Sequence, residues 1–126
     1  MIHGIGTDIV ELARIERMLA RYGGRLAERM LGAPELSAFK PGPHAARFLA
    51  KKFAAKEAFA KAVGSGLRDP VSLRRISITH DSLGKPALQF DEVLRSHLAR
   101  LGIIGHHLSI SDERNMIVAF VVLETE

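Results

Sequence analysis

The chain has 126 residues, 47 % of them apolar and 25 % charged, which is room for one domain with a modest core and argues against two. It has no cysteine, no basic leader backed by an apolar stretch and no apolar run near the ~18 residues of a membrane span, so a cytoplasmic protein without disulfides is expected. The formal net charge of +4 favours an anionic partner, whether nucleic acid, a polyphosphate ligand or an acidic protein, and cannot choose among them.

In chain order, Met1 to Gly6 reads as a short strand, apolar at Ile2 and Ile5. Asp8-Ile9-Val10-Glu11 then has the spacing of a capping box, which predicts a helix from about residue 9. Val10, Ile15, Met18, Leu19 and Tyr22 form its apolar stripe, and Arg14, Arg17, Arg21 and Arg25 lend it a basic side up to Gly23-Gly24. A second short helical stretch runs through Leu31, and after Pro34 the sequence Lys40-Pro41-Gly42-Pro43 marks a loop. A long, alanine-rich helix is predicted from about Ala45 to Val63, closed by Gly64-Ser65-Gly66. Ile76 to Thr79 and Ala87 to Phe90 alternate as strands around the turn residues Asp81 to Pro86, which predicts a hairpin. Asp91 to Leu101 reads as an amphipathic helix, and Leu108 to Ser111 and Met116 to Leu123 as two strands flanking the Asp112 to Asn115 turn. Helices and antiparallel strands in separate runs predict an α+β domain, with the sheet packed against one long and several shorter helices.

Three motifs bear on chemistry. Gly4-Ile5-Gly6 is not a dinucleotide fingerprint, because Ile9 stands where the third glycine belongs and no parallel strand-helix-strand pattern follows. It reads instead as a tight turn bringing Thr7 and Asp8 close to something, with Asp8 also readable as a plain helix N-cap. Glu57 sits in Phe53-Ala54-Ala55-Lys56-Glu57-Ala58-Phe59-Ala60-Lys61, where Lys52 and Lys56 project into the same sector as Phe48, Phe59 and Val63. A plain structural account, with snorkelling stems and a solvent pair of Glu57 and Lys61, explains Lys61 better than Lys52 and Lys56. Two carboxylates on different elements with lysines nearby suit a magnesium ion bridging to phosphate oxygens, since magnesium commonly takes one or two protein carboxylates. His106 and His107 are neighbours in an extended stretch and face opposite ways, and Ser109 and Ser111 lack a nucleophile elbow, so neither pair is assigned chemistry.

The combination of Gly4-Ile5-Gly6-Thr7-Asp8-Ile9-Val10-Glu11, the Lys52 to Lys61 segment, Gly64-Ser65-Gly66, Gly84-Lys85-Pro86 and Leu108-Ser109-Ile110-Ser111-Asp112 resembles the bacterial holo-acyl-carrier-protein synthases, the small homotrimeric phosphopantetheinyl transferases. The resemblance runs end to end and implies that residues 1–126 form a single domain of the 4′-phosphopantetheinyl transferase fold. It implies an enzyme moving phosphopantetheine from coenzyme A to a serine of apo acyl carrier protein for fatty acid biosynthesis, with release of adenosine 3′,5′-bisphosphate. By the same resemblance Asp8 and Glu57 ligate Mg2+, and Lys61 joins them as a catalytic residue contacting the phosphate or pantetheine. Lys52 and Gly84-Lys85-Pro86 hold the nucleotide end of the coenzyme, and Arg14, Met18 and Arg21 dock the acidic helix of the carrier protein. Active sites in the family lie between subunits of a homotrimer. Lys52 replaces an arginine of some members, and Asp112 stands where many have histidine, so no base role is assigned to it.

Two other classes are weighed. A nucleic-acid-binding protein would explain the basic charge, but six of the seven aromatic residues are phenylalanines in apolar patterns and offer no stacking platform. A purely structural trimer-forming module would show no thermal response to coenzyme A with magnesium. Neither nucleic acid nor membrane is an expected partner.

Overall fold

The computed structural model describes all of residues 1–126. The elements run β1 (Ile2–Glu11), α1 (Leu12–Tyr22), α2 (Gly24–Met30), α3 (Ala33–Ala38), α4 (Ala45–Val63), a 3-10 turn (Leu73–Arg75), β2 (Ile76–His80), β3 (Pro86–Phe90), α5 (Glu92–Arg100), β4 (Gly105–Asp112) and β5 (Met116–Glu124). The predicted α+β class holds. The strands divide into an antiparallel sheet of order β1-β5-β4 and a separate β2-β3 hairpin. No helix is long and apolar enough to cross a membrane.

The first strand departs most from expectation. Asp8 caps no helix, because β1 continues through it, pairing Asp8 with Ala119 and Glu11 with Met116 on β5. The β-branched pair Ile9-Val10 suits a strand, and a full ladder of backbone bonds outweighs one capping bond, so the helix starts only at Leu12. Alternation then sorts β1 into two faces: Gly6 and Val10 are buried inward, whereas Ile5 and Ile9 remain 59 % and 58 % exposed.

Helix α4 lies across the inner face. A Cβ on Gly4 would stand 2.2 Å from the Ala62 carbonyl oxygen, and one on Gly6 only 1.9 Å from that of Ala58. Only glycine permits this approach, and the facing alanines on α4 complete it. The rest of the core gathers around Phe59, whose ring lies 4.9 Å from that of Phe90, with Ile15, Leu49, Leu94, Ile117 and Val121 fully buried around it. Truncating so buried a phenylalanine costs about 3–5 kcal/mol. Gly64 ends α4 at φ 100°, its N–H reaching the Ala60 carbonyl, as its C-cap position predicts.

Pro34 falls in the first turn of an additional helix, α3, where proline's missing N–H costs nothing and the Glu35 carboxylate accepts from the Gly32 N–H at 3.0 Å. The hairpin turn is closed by Asp81, which accepts from the Leu83 and Lys85 N–H groups, and Asp91 caps α5 by accepting from the Leu94 N–H.

Candidate active site

The close packing of β1 on α4 carries Asp8 to the side of Glu57 and Lys61. Lys61 Nζ donates to the Thr7 carbonyl at 2.9 Å and approaches Asp8 Oδ1 at 3.3 Å. The solvent pair of Glu57 with Lys61 does not form, since Lys61 turns to the strand instead. Burial raises the Glu57 pKa, the Asp8 carboxylate raises it further, and Lys61 and Arg14 oppose both. Two like charges therefore share one corner, and Arg14 reaches it from α1 while lying 5.7 Å over the Phe53 ring. No cluster of three or more acidic, histidine or cysteine side chains exists anywhere in the chain. Asp8 and Glu57 are two carboxylates that could hold a hard cation, since magnesium commonly takes one or two protein carboxylates.

A second feature lies between α3, the first half of α4 and β2. It is an open cleft of about 590 Å³, and His44, Arg47, Lys51, Lys52 and His80 make its lining basic. Lys52 Nζ stands 4.8 Å over the Phe48 ring. Burial lowers the Lys52 pKa, with Glu35 opposing and Lys51 assisting. Burial lowers the His80 pKa, Lys52 and Lys51 lower it further, and Asp81 opposes them. Arg47 bonds the Asp112 carboxylate and also the carbonyls of Glu113 and Arg114 at 2.9 and 3.0 Å, while Lys51 meets Asp112 at 3.0 Å. Burial alone would raise the Asp112 pKa, but the bonds from Lys51 and Arg47 prevail and lower it. Arg47 and Lys51 escaped the sequence reading. Their i, i+4 spacing with Lys52 adjacent was the available signal.

The remaining expected residues divide. Lys56 is not part of either feature: it is fully buried and all its donors are spent, on the Met30 and Leu73 carbonyls and on Glu35. The idea that it stands near the carboxylates' ligand is therefore corrected, and the reason is helical phase, since Lys56 points into the core one residue before Glu57 points out. Gly84 and Lys85 sit at the exposed hairpin tip, and Pro86 begins β3 opposite His80, at the cleft's end rather than in it. Arg14, Met18 and Arg21 share one side of α1, where Met18 borders an apolar hollow of about 380 Å³ with Tyr22, Leu26 and Phe53, edged by Arg25 and Arg29. Lys52 and Lys61, nine residues apart, project from opposite sides of α4, and Glu57 lies about 140° around the helix from Lys52.

A profile of the 4′-phosphopantetheinyl transferase superfamily matches residues 4–119. The chain belongs to that superfamily. It is 57 % identical over 124 residues to the holo-[acyl-carrier-protein] synthase of Laribacter hongkongensis, covering 98 % of this chain and 99 % of the relative. The crystal structure of the corresponding synthase from Neisseria meningitidis superposes with a TM-score of 0.95 at 50 % identity, covering 99 % of this chain and all of that one. The Bacillus anthracis synthase, solved in complex with coenzyme A (3′,5′-ADP), aligns at a TM-score of 0.82 and 41 % identity over 100 % of this chain and 99 % of that one. On these findings the chain is an enzyme, a holo-[acyl-carrier-protein] synthase by family, and its α+β fold is theirs.

Proposed function

We propose that the chain, acting as one domain over residues 1–126, transfers 4′-phosphopantetheine from coenzyme A to a serine of apo acyl carrier protein and releases adenosine 3′,5′-bisphosphate, in support of fatty acid biosynthesis. The observation that carries this is the meeting of Asp8, Glu57 and Lys61 at one corner, two acids and a base from elements fifty residues apart. Asp8 and Glu57 would hold Mg2+, which when bound neutralises charge on the diphosphate. Lys61, anchored on the Thr7 carbonyl, presents positive charge where negative charge grows as the bridging oxygen departs. Lys51, Lys52 and Arg47 bind the nucleotide phosphates in the basic cleft, with Gly84-Lys85-Pro86 at its end. The work of the protein is positioning and electrostatics. Arg14, Met18 and Arg21 receive the carrier's acidic helix, the basic side steering it and the apolar hollow anchoring it.

The two features open on different sides of α4, which favours a coenzyme held between two chains over one held within a single chain. The outer sheet face supports the answer: Ile5, Ile9 and Phe120 lie exposed there, the last at 39 %, and such an apolar surface calls for a partner. A homotrimer in which one subunit's cleft meets its neighbour's acid corner satisfies both constraints.

The test is direct. Apo carrier protein incubated with coenzyme A, magnesium and the enzyme should gain the mass of the phosphopantetheine arm, and Asp8→Ala or Glu57→Ala should remove the gain while leaving the oligomer intact. A variant with near-normal turnover would take its residue out of the metal site.

A further inference from the structure

The buried Glu35 and Lys56 do none of the chemistry above, yet they form the most completely bonded polar unit in the chain. Glu35 is 4 % exposed and Lys56 not at all. Lys56 Nζ donates to Glu35 Oε1 at 2.5 Å, to the Met30 carbonyl at 2.7 Å and to the Leu73 carbonyl at 3.0 Å, which uses all three ammonium protons. Glu35 Oε1 also accepts from the Gly32 N–H at 3.0 Å, and Oε2 accepts from the Ile78 N–H at 2.8 Å. A single carboxylate thus touches the start of α3, the middle of α4 and the middle of strand β2.

Those three elements are the walls of the basic cleft. Pro34 and Ala38 come from α3, Phe48, Lys51 and Lys52 from α4, and Ile78, Thr79 and His80 from β2. Burying an ion pair is rarely a net gain in stability, because desolvation offsets the attraction, so its worth lies in what it holds in register. We propose that Glu35 and Lys56 are positioning residues for coenzyme binding, a three-way tie that sets the width of the cleft between Lys52 on one wall and Thr79 and His80 on the other. Apart from this tie no side-chain hydrogen bond joins α3 or β2 to α4, so it is the polar link between the helix and both of them.

Glutamine tests this closely. It has the shape of glutamate but one acceptor oxygen instead of two, so Oε1 and Oε2 cannot both be matched. Either the Ile78 N–H or the Gly32 N–H with Lys56 then faces an amide donor, and one wall must shift. The proposal rests on the cleft being the coenzyme site, so Lys52→Ala serves as the test of that reading alone.

Steady-state kinetics with coenzyme A varied, and separately with carrier protein varied, should show Glu35→Gln raising the KM for coenzyme A about tenfold, with the carrier KM unchanged and kcat within about threefold. Thermal unfolding runs alongside. In the double variant Glu35→Gln/Lys56→Met no buried charge is left unpaired, so its Tm should exceed that of Lys56→Met while the coenzyme KM stays raised. A coenzyme KM that returns to the wild-type value as Tm recovers makes the pair merely structural and overturns the proposal, and this comparison stands even where Glu35→Gln folds poorly. A raised KM in Lys52→Ala beside an unchanged one in Glu35→Gln also overturns it while sparing the cleft. An unchanged KM in Lys52→Ala instead removes the cleft reading, and the tie's role with it.

Discussion

Replacing Gly6 with alanine should damage the acid corner from beneath. The added Cβ would stand 1.9 Å from the Ala58 carbonyl oxygen and 2.7 Å from the Ala62 nitrogen, both helix backbone that no rotamer change can move. To restore the 3.4 Å of ordinary contact, β1 and α4 must separate by about 1.5 Å, an overpacking that costs about 3 kcal/mol. For a domain of this length that is a fall in Tm of roughly 10 °C. Asp8 rides on β1 and Glu57 on α4, so the same separation pulls the two carboxylates apart, and a misplacement near 1 Å costs on the order of 100-fold in rate. The assay pairs thermal unfolding with the mass gain of apo carrier protein, measured well below the variant's Tm so that the rate loss is read on folded enzyme. Gly24→Ala is the control, since its Cβ meets nothing within 4 Å and its φ is ordinary for a helix start; it should match or slightly exceed wild type. A Gly6→Ala enzyme with Tm within 2 °C and rate within about twofold of wild type would refute the claim that this glycine sets the corner's geometry.

Three further outcomes follow from the same structure. Arg21→Glu should raise the KM for carrier protein about 10-fold or more while leaving that for coenzyme A alone, and the defect should shrink as salt screens both charge arrangements. Ile9→Glu places a charge in the exposed apolar sheet face and should convert the assembly to monomers in analytical ultracentrifugation, with loss of turnover. Burial pulls the Lys56 ammonium from 10.5 down to about 8, against the Glu35 carboxylate, so between those values the unfolded chain holds a proton that the folded chain has released. Stability relative to Glu35→Gln/Lys56→Met should therefore rise with pH across that window, by up to about 3 kcal/mol, and a flat or falling difference in denaturant titrations would contradict the assigned burial.

How legible all this was in the sequence varied with the range of the forces. Helix α4 and the β2-β3 hairpin rest on local signals, an alanine-rich periodic run and turn residues between alternating segments, and both stand where those signals put them. The boundary of β1 was lost because Asp8 to Glu11 has a good local capping pattern, and only pairing with β5, more than a hundred residues away, overrides it. Helix α3 was hidden by Pro34, which punctuates a loop as readily as it opens a helix. At the site, Asp8, Glu57 and Lys61 were legible as unusual charge among small residues, and their meeting depends on Gly4 and Gly6, which were read as a turn rather than as packing surface. Lys56 looked like ligand chemistry because cations in an apolar sector are costly. What the pattern could not show was Glu35, a partner twenty-one residues upstream that absorbs the charge completely.

The placement of the cleft and the acid corner on different sides of α4 yields a sharper test of the proposed assembly than disruption does. An Asp8→Ala chain keeps its cleft and loses its corner, while a Lys51→Ala/Lys52→Ala chain keeps its corner and weakens its cleft. If each site is built from the cleft of one subunit and the corner of its neighbour, dissociating and reassociating the two defective enzymes in equal amounts, with coenzyme too dilute to fill the weakened cleft, pairs a good cleft with a good corner at about one site in four. Mixing should then restore roughly a quarter of the wild-type rate, and the restored activity should follow the rate of subunit exchange. If cleft and corner of the same chain served one coenzyme molecule, every site would retain one defect whatever its neighbours, and the mixture would be as inactive as its parts. Mixed oligomers without regained turnover would thus place the whole site within one subunit, and the exposed Ile5, Ile9 and Phe120 would bring copies together for stability alone.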